Sequence, residues 1–313
     1  MSKLRIGINL LRNNRRALLS FIIEKMGFLL NDKLYLKLLF RIRMGYRLNL
    51  DNPKTFSEKI QWLKIYDRQP RYTTLVDKYL VKDIVADIIG KEHIIPTIGI
   101  WDNPGSIESD KLPKQFVLKT THGGGNSGVV ICKDKDLIDR QHVIGKLKKS
   151  LKQDIYKTFR EWPYKNVNKQ IIAENYMEQE DGSQLIDYEF FCFNGEPKYV
   201  YLSQYSHGND KDISRFFDLS WSQTPFQREG EKIANVIPKK PDLFYEMTEM
   251  AKLLSKGIAL VRVDLYEINQ KIYFSELTFY PSSGMQPYEP FAWDKKLGDI
   301  LNLPKIQKNN QYD

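Results

Sequence analysis

Val261–Gly284, VRVDLYEINQKIYFSELTFYPSSG, is the stretch whose reading decides the fold. Two runs rich in β-branched and aromatic residues flank a short polar turn, Glu267-Ile268-Asn269-Gln270-Lys271, which is a hairpin pattern. Side chains alternate faces along a strand. Leu260, Arg262 and Asp264 therefore share one face of the first strand, and Phe274, Glu276 and Thr278 share one face of the second. A loop of three residues, 269–271, sets Asp264 opposite Glu276 and Arg262 opposite Thr278. Two carboxylates facing each other across a strand pair repel, and a fold tolerates that when a cation lies between them. Hard oxygen ligands with open positions suit Mg²⁺ carrying phosphates. A two-residue turn would instead slip the register and leave these groups as solvated strand charges.

Upstream, Gln115–Thr121 and Val129–Lys133 read as strands joined by His122-Gly-Gly-Gly-Asn-Ser-Gly128. Glycines let backbone N–H groups approach phosphate oxygens and form an anion nest. No GK[ST] follows, so this is not a Walker loop. A plain glycine-rich hairpin fits the pattern too, although three consecutive glycines are costly to order. Lys169–Met177 reads as a strand entering a chain crossing, followed by Glu178, Glu180 and Asp181. Asp187-Tyr188-Glu189 lies in an apolar strand that turns at Asn194-Gly195, a setting that argues against a glycosyltransferase D-x-D metal site. Thr55-Phe-Ser-Glu58 is a capping box opening a short amphipathic helix. The next helix, LVDKYLVKDIVADIIG, carries Lys78 and Lys82 near its start and stops at Gly90. Asp136–Arg160 reads as a polar helix, Asp242–Lys256 as a helix ended by Gly257, and 204–240 as loops, with Trp221 and Phe226, suited to an acceptor pocket.

RVDLY, YFSELTFYPSSG and FVLKTTHGGG resemble the TupA-like ATP-grasp family of polysaccharide-biosynthesis loci, over about Thr55–Phe291. The resemblance implies an α+β ATP-grasp fold, with two α/β lobes whose antiparallel sheets clasp a nucleotide. The implied division is a helical segment at 1–50, an ATP-grasp domain at 51–300 and a tail at 301–313. Within that domain the lid lobe runs over about 95–172 and the C-terminal lobe over about 173–300. The implied cofactors are ATP and Mg²⁺. Lys78 and Lys119 match the phosphate lysines; His122, Gly123, Gly124, Gly125 and Ser127 belong to the lid loop. Glu174 matches the acid on the adenine amine side, with Asn175, Tyr176 and Met177 as the backbone clasp. Glu178, Glu180 and Asp181 compete for the ribose, and Glu180 is the choice. Asp264, Glu276 and Thr278 match the metal ligands, Thr278 standing where many members have Asn; Arg262 and Lys119 match the catalytic cations. The implied activity is ADP-forming carboxylate–amine ligation through an acyl-phosphate. It would join an amine or amino acid to a uronic acid of a capsular or O-antigen polysaccharide or its precursor. Two rival readings are a nucleotide-sugar glycosyltransferase, which binds uridine nucleotides and releases no ADP, and a non-catalytic scaffold at the membrane.

The chain of 313 residues carries a net charge of +9, all of it from residues 1–50, which hold 11 Lys/Arg against 2 Asp/Glu. The rest is balanced at 37 of each sign, which argues against nucleic acid as a partner. Leu10, Leu11, Leu18, Leu19, Ile22 and Ile23 recur at helical spacing beside Arg12, Arg15 and Arg16. That pattern fits a helical hairpin packed on the body with its charges in water. The hairpin is the favoured reading; the alternative is a basic amphipathic helix on an anionic membrane surface, through residues 1–48. No apolar run reaches the roughly 18 residues of a membrane span, and no cleavage site follows ALLSFIIEKMGFLL, so a cytoplasmic protein, peripheral at the inner face, is expected. Cys132 and Cys192 lie in apolar strands and read as buried thiols. The closing QKNNQYD reads as disordered.

Overall fold

The computed structural model describes residues 15–204, 213–231 and 237–306. Leu10, Leu11 and Arg12 of the basic segment, part of the 204–240 loops and the closing QKNNQYD lie outside the described residues.

Two helices open the described chain, α1 (Arg15–Met26) and α2 (Asp32–Met44). The Asn31 side chain accepts the Leu34 N–H at 2.9 Å and starts α2; Gly45, at φ 82°, ends it. One face of α2 is apolar at helical spacing, and Tyr35, Leu36, Leu39 and Phe40 are fully buried. The capping box forms as the sequence predicts: Thr55 accepts from Glu58 N–H, and the Glu58 carboxylate accepts from Thr55 N–H, opening α3 (Phe56–Tyr66). The single helix expected around Lys78 is two, α4 (Arg71–Val76) and α5 (Val81–Ile89). Asp77 breaks it, because its carboxylate accepts the Tyr79 and Leu80 N–H groups at 2.9 and 3.1 Å and so restarts the helix. Lys78 therefore sits in a turn rather than on a helix.

An antiparallel sheet of four strands follows, with β1 (Thr97–Trp101), β2 (Phe116–Thr120), β3 (Val129–Cys132) and β4 (Ile171–Asn175) in the order β1-β4-β2-β3. It has its own core, in which Phe116, Leu118, Val130, Ile171 and Ala173 meet Val143 and Leu147 of α6 (Arg140–Leu151). The predicted helix 136–160 is also interrupted; Asp154 caps a second segment, α7 (Ile155–Phe159).

The larger sheet comprises β5 (Asp187–Phe193), β6 (Glu196–Gln204), β7 (Ile213–Asp218), β9 (Leu260–Ile268) and β10 (Lys271–Thr278), all antiparallel, in the order β10-β9-β5-β6-β7. One face packs Phe190, Cys192, Val261 and Val263 in the same core as Met247 and Ala251 of α8 (Phe244–Ser255). The other face is polar toward β10. A short ribbon, β8 (Gln227–Arg228) with β11 (Tyr288–Glu289), and α9 (Ala292–Ile300) complete the fold. Cys132 and Cys192 are buried free thiols in different sheets. Among the described residues no helix is long and apolar enough to cross a membrane.

The opening hairpin departs from the expected loop. Its turn has two residues: Ile268 pairs with Lys271, and Asn269 and Gln270 take φ of 51° and 60°, the pair of positive values a tight hairpin turn demands. An unbroken register would then face Asp264 with Ser275. A bulge between Phe274 and Glu276 absorbs Ser275, so Glu276 pairs with Asp264 and Thr278 with Arg262 after all. The bulge also changes parity. Ile272 and Phe274 are buried before it and Leu277 and Phe279 after it, so Phe274 does not share a face with Glu276 and Thr278. With Ser275 kept in an unbroken ladder, Glu276 would instead face Val263 and point into the apolar side of the sheet.

Candidate active site

Two charge clusters of opposite composition meet where the sheets approach. On the four-stranded sheet, Glu174 stands on β4 opposite Val117 of β2 and is buried. One of its oxygens pairs with Lys82, in the first turn of α5, and the other with Lys119 of β2 at 2.8 Å. Burial opposes ionisation, but the two lysines outweigh it and hold Glu174 down to about 2. Lys82 also donates to the Ile95 carbonyl at 2.7 Å and to Thr97 Oγ1 at 3.0 Å. A single carboxylate thus fixes two lysines in place.

On the five-stranded sheet the proportions are reversed. Arg262 donates from Nε to Asp264 at 2.7 Å and from Nη2 to the same carboxylate at 2.5 Å, a bidentate pair. Its Nη1 lies 2.8 Å from Glu189, and its Nη2 lies 3.5 Å from Glu276 and 3.2 Å from Thr278 Oγ1. Cross-strand pairing lines up Glu276, Asp264, Glu189, Tyr201 and Phe216 across all five strands. Burial pushes Asp264 up to about 7; Arg262 offsets part of this and the neighbouring Glu189 adds to it. Asp187 is raised well above the carboxylate range, by burial and then by Asp264 and Glu189.

Lys78 ties the second cluster to the end of β2. Its side chain pairs with Glu276, and its N–H donates to the Thr121 carbonyl at 3.0 Å. Burial opposes ionisation of Glu276, but the charges of Lys78 and Arg262 hold it down to about 2.

The glycine loop lies directly beyond Thr121. The Gly123 N–H donates to the Thr120 carbonyl at 3.1 Å, Gly125 has φ 61°, and Ser127 Oγ donates to Gln153 at 3.0 Å. A Cβ on Gly128 would meet Ser150 Oγ at 2.3 Å and Thr120 Oγ1 at 2.4 Å, so the hydroxyl pair beneath the loop demands a glycine there. Gly124 and Gly125 have no such crowding. His122 is buried under the loop; burial, with Lys169 nearby, holds it down to about 4, so it is neutral at pH 7.

Asn175 ends β4, its N–H on the Pro96 carbonyl at 3.1 Å, and Tyr176 and Met177 follow in irregular backbone. Glu180 lies apart from both clusters. Its N–H donates to Asn269 Oδ1 at 2.9 Å, and Gln179 binds the same hairpin tip, so this segment docks on the β9–β10 turn.

From sequence, Lys82 and Glu189 are noted without a role in the site, and the support under Pro281–Gly284 is not foreseen. Ser282, Ser283 and Gly284 all take left-handed φ, at 49°, 55° and 59°, a strained run held in place by its surroundings. Gln61 donates to the Ser283 and Gly284 carbonyls at 3.0 and 2.9 Å, and Lys64 to the Ser283 carbonyl at 2.7 Å. The Ser283 hydroxyl donates to Glu161 at 2.5 Å. Burial lowers the fully buried Lys64 to about 8, partly offset by Glu161.

A protein-family model described as TupA-like ATPgrasp matches residues 58–302. The chain belongs to the TupA-like ATP-grasp family. The matched span holds Lys78, Lys119, Glu174, Arg262, Asp264, Glu276 and Thr278, and the α+β architecture of two antiparallel sheets is that of the ATP-grasp fold. No curated protein matches the sequence. Among solved structures, the chain is similar to a D-alanine–D-alanine ligase from Helicobacter pylori, with 14% identity over 73% of this chain and 61% of that one and a TM-score of 0.41. It is similar also to the ATP-grasp ligase PsnB, solved with a precursor variant, Mg and ADP, with 12% identity over 94% of this chain and 71% of that one and a TM-score of 0.41. A third is N5-carboxyaminoimidazole synthase from Aspergillus clavatus, with 12% identity over 66% and 44% and a TM-score of 0.35. The chain spans about three fifths of the length of the D-alanine–D-alanine ligases it matches.

Proposed function

We propose that the protein is an ADP-forming carboxylate–amine ligase that uses Mg-ATP. A carboxylate oxygen of the substrate attacks the γ-phosphorus and the bond to the β-phosphate oxygen breaks, releasing ADP. An amine then attacks the acyl carbon of the acyl-phosphate. The C–N bond forms, the C–O bond to phosphate breaks, phosphate leaves and the amine gives up a proton. The observation that carries this reading is the pairing of Glu276 with Asp264 beside Arg262, with Lys78 tying Glu276 to Thr121, just beyond the strand that carries Lys119.

Lys119 and Lys78 are suited to hold phosphates as point charges, and the backbone of Gly123, Gly124 and Gly125, which follows Thr121, to supply N–H donors. Asp264, Glu276 and Thr278 supply hard oxygens of the type that suits a divalent cation; in this structure Arg262 engages both Asp264 oxygens and Lys78 engages Glu276, so a cation would share these carboxylates with them. Asp264, Glu276 and Thr278 would hold Mg²⁺, which when bound neutralises phosphate charge. Arg262 is placed to stabilise the transferred phosphoryl group. Glu174, with both oxygens on lysines, positions those lysines, and the adenine would meet the backbone of Asn175 to Met177. Family membership supports a uronic acid of a cell-surface polysaccharide, or its precursor, as the carboxylate, and a cytoplasmic site of action, where ATP is made.

The test is to incubate the protein with Mg-ATP, hydroxylamine and a panel of uronic acids, measuring ADP and hydroxamate. Hydroxamate formed in step with ADP for one sugar acid confirms the chemistry and names the substrate. Binding of uridine-diphosphate sugars with no ATP binding would overturn it in favour of glycosyl transfer.

A further inference from the structure

The outer surface of the α1–α2 hairpin is used by neither sheet nor by the candidate site. Leu19, Ile22 and Met26 are exposed on α1, at a spacing that makes one stripe. On α2, Leu34 and Leu38 form an exposed stripe one turn apart, flanked by Lys33, Lys37 and Arg41 at i, i+4 and i+8. The turn between the helices exposes Phe28 at 83% and Leu29 at 66%, far beyond what scattered surface apolar residues need. The two acids of the hairpin are paired with cations other than Lys33, Lys37 and Arg41. Glu24 pairs with Arg43 at 2.9 Å, and Asp32 pairs with Arg68 at 2.5 Å and with Arg160 at 2.9 Å.

We propose that this hairpin docks on an anionic lipid surface, with Phe28 and Leu29 entering the headgroup boundary and Lys33, Lys37 and Arg41 lying over the phosphates. Interleaved leucines and lysines suit a fluid surface that offers apolar depth and negative charge together. A second copy of the chain fits less well, because a two-fold contact through these stripes would set the same cations against each other. The tip is also tied to the body. Arg160 donates to the Gly27 carbonyl at 2.5 Å and lies over the Tyr35 ring at 4.0 Å, and the next residue, Glu161, takes the Ser283 hydroxyl. Docking would therefore fix the orientation of the Pro281–Gly284 loop toward the bilayer. The proposal does not depend on the ligase reading.

The test is sedimentation of the full chain with vesicles of equal parts phosphatidylglycerol and phosphatidylcholine, and with phosphatidylcholine alone. Wild type should pellet with the anionic vesicles only, and less at high salt. Phe28→Asp/Leu29→Asp should lose at least about tenfold in partitioning, and Lys33→Gln/Lys37→Gln/Arg41→Gln about 100-fold, each melting as wild type does. Failure of wild type to bind, or binding that neither variant changes, overturns the proposal. So does a dimer seen by light scattering that Phe28→Asp/Leu29→Asp breaks without any vesicle binding, which would assign the face to a second copy.

Discussion

The two charge clusters solve the burial of ions in opposite ways. On the four-stranded sheet one carboxylate, Glu174, sits between two lysines. On the five-stranded sheet one guanidinium, Arg262, sits among Glu189, Asp264 and Glu276. A buried charge stripped of its partner is expensive, so each cluster is organised around its minority ion. The majority ions differ in sign: lysines on one sheet, carboxylates on the other. In the proposed reading, phosphates meet the first and the metal meets the second.

The largest effect should come from removing the minority ion of the five-stranded sheet. Arg262→Met leaves Asp264 and Glu189 buried together without their cation and should destabilise by about 3–5 kcal/mol, read by urea unfolding. A loss under 1 kcal/mol would mean the carboxylates find counter-ions elsewhere. On the other sheet, Lys82→Met removes a majority ion. Glu174 keeps Lys119, so the cost should be nearer 1–2 kcal/mol. If the two variants cost the same, the contrast between the clusters fails.

A pH effect of similar size belongs to the glycine loop. Burial, with Lys169 nearby, holds His122 down to about 4 from 6.5. The unfolded chain therefore binds a proton that the native state refuses. Stability from this group is present above pH 6.5 and is lost as pH falls toward 4, by at most ~3 kcal/mol. His122→Asn should flatten the unfolding free energy over that window. An unchanged slope would move the acid sensitivity to the carboxylates.

The smallest effect concerns register. Deleting Ser275 removes the bulge and leaves the two-residue turn, yet Glu276 still falls opposite Asp264 on the same face. Mg-ATP affinity should stay within about threefold of wild type. A collapse of binding would show that the bulge itself shapes the site.

These contrasts also mark what could be read from sequence. Local signals were legible because their physics is local: the Thr55–Glu58 capping box, the Asn194-Gly195 turn, and the R-x-D and glycine-loop motifs. The facing of Asp264 and Glu276 was anticipated, but through a three-residue loop, whereas the chain uses two residues and a bulge. The signal was present, since the apolar positions shift from Ile272 and Phe274 to Leu277 and Phe279, and only an extra residue changes parity in that way. Asp77 between two apolar runs carried the break after α4, as an Asx cap does. The lysine clasp on Glu174 was hidden, because Lys82 meets it across 92 positions and nothing in either segment specifies the pairing. Glu189 read only as one half of a weak D-x-D pattern with Asp187 until β5 was placed beside β9. The clamp of Gln61, Lys64 and Glu161 on Ser283 joins three distant segments in the same manner.

The most direct measurement is calorimetric titration of ATP, with and without Mg²⁺, into wild type and Glu276→Gln. Wild type should bind Mg-ATP with a magnesium-dependent affinity. Glu276→Gln should bind about 100-fold more weakly in Mg²⁺ and keep only the magnesium-independent binding that the lysines provide. Equal Mg-ATP affinity in the two proteins would contradict the assignment of metal to the five-stranded sheet, and absence of ATP binding in wild type would contradict the clasp as a whole.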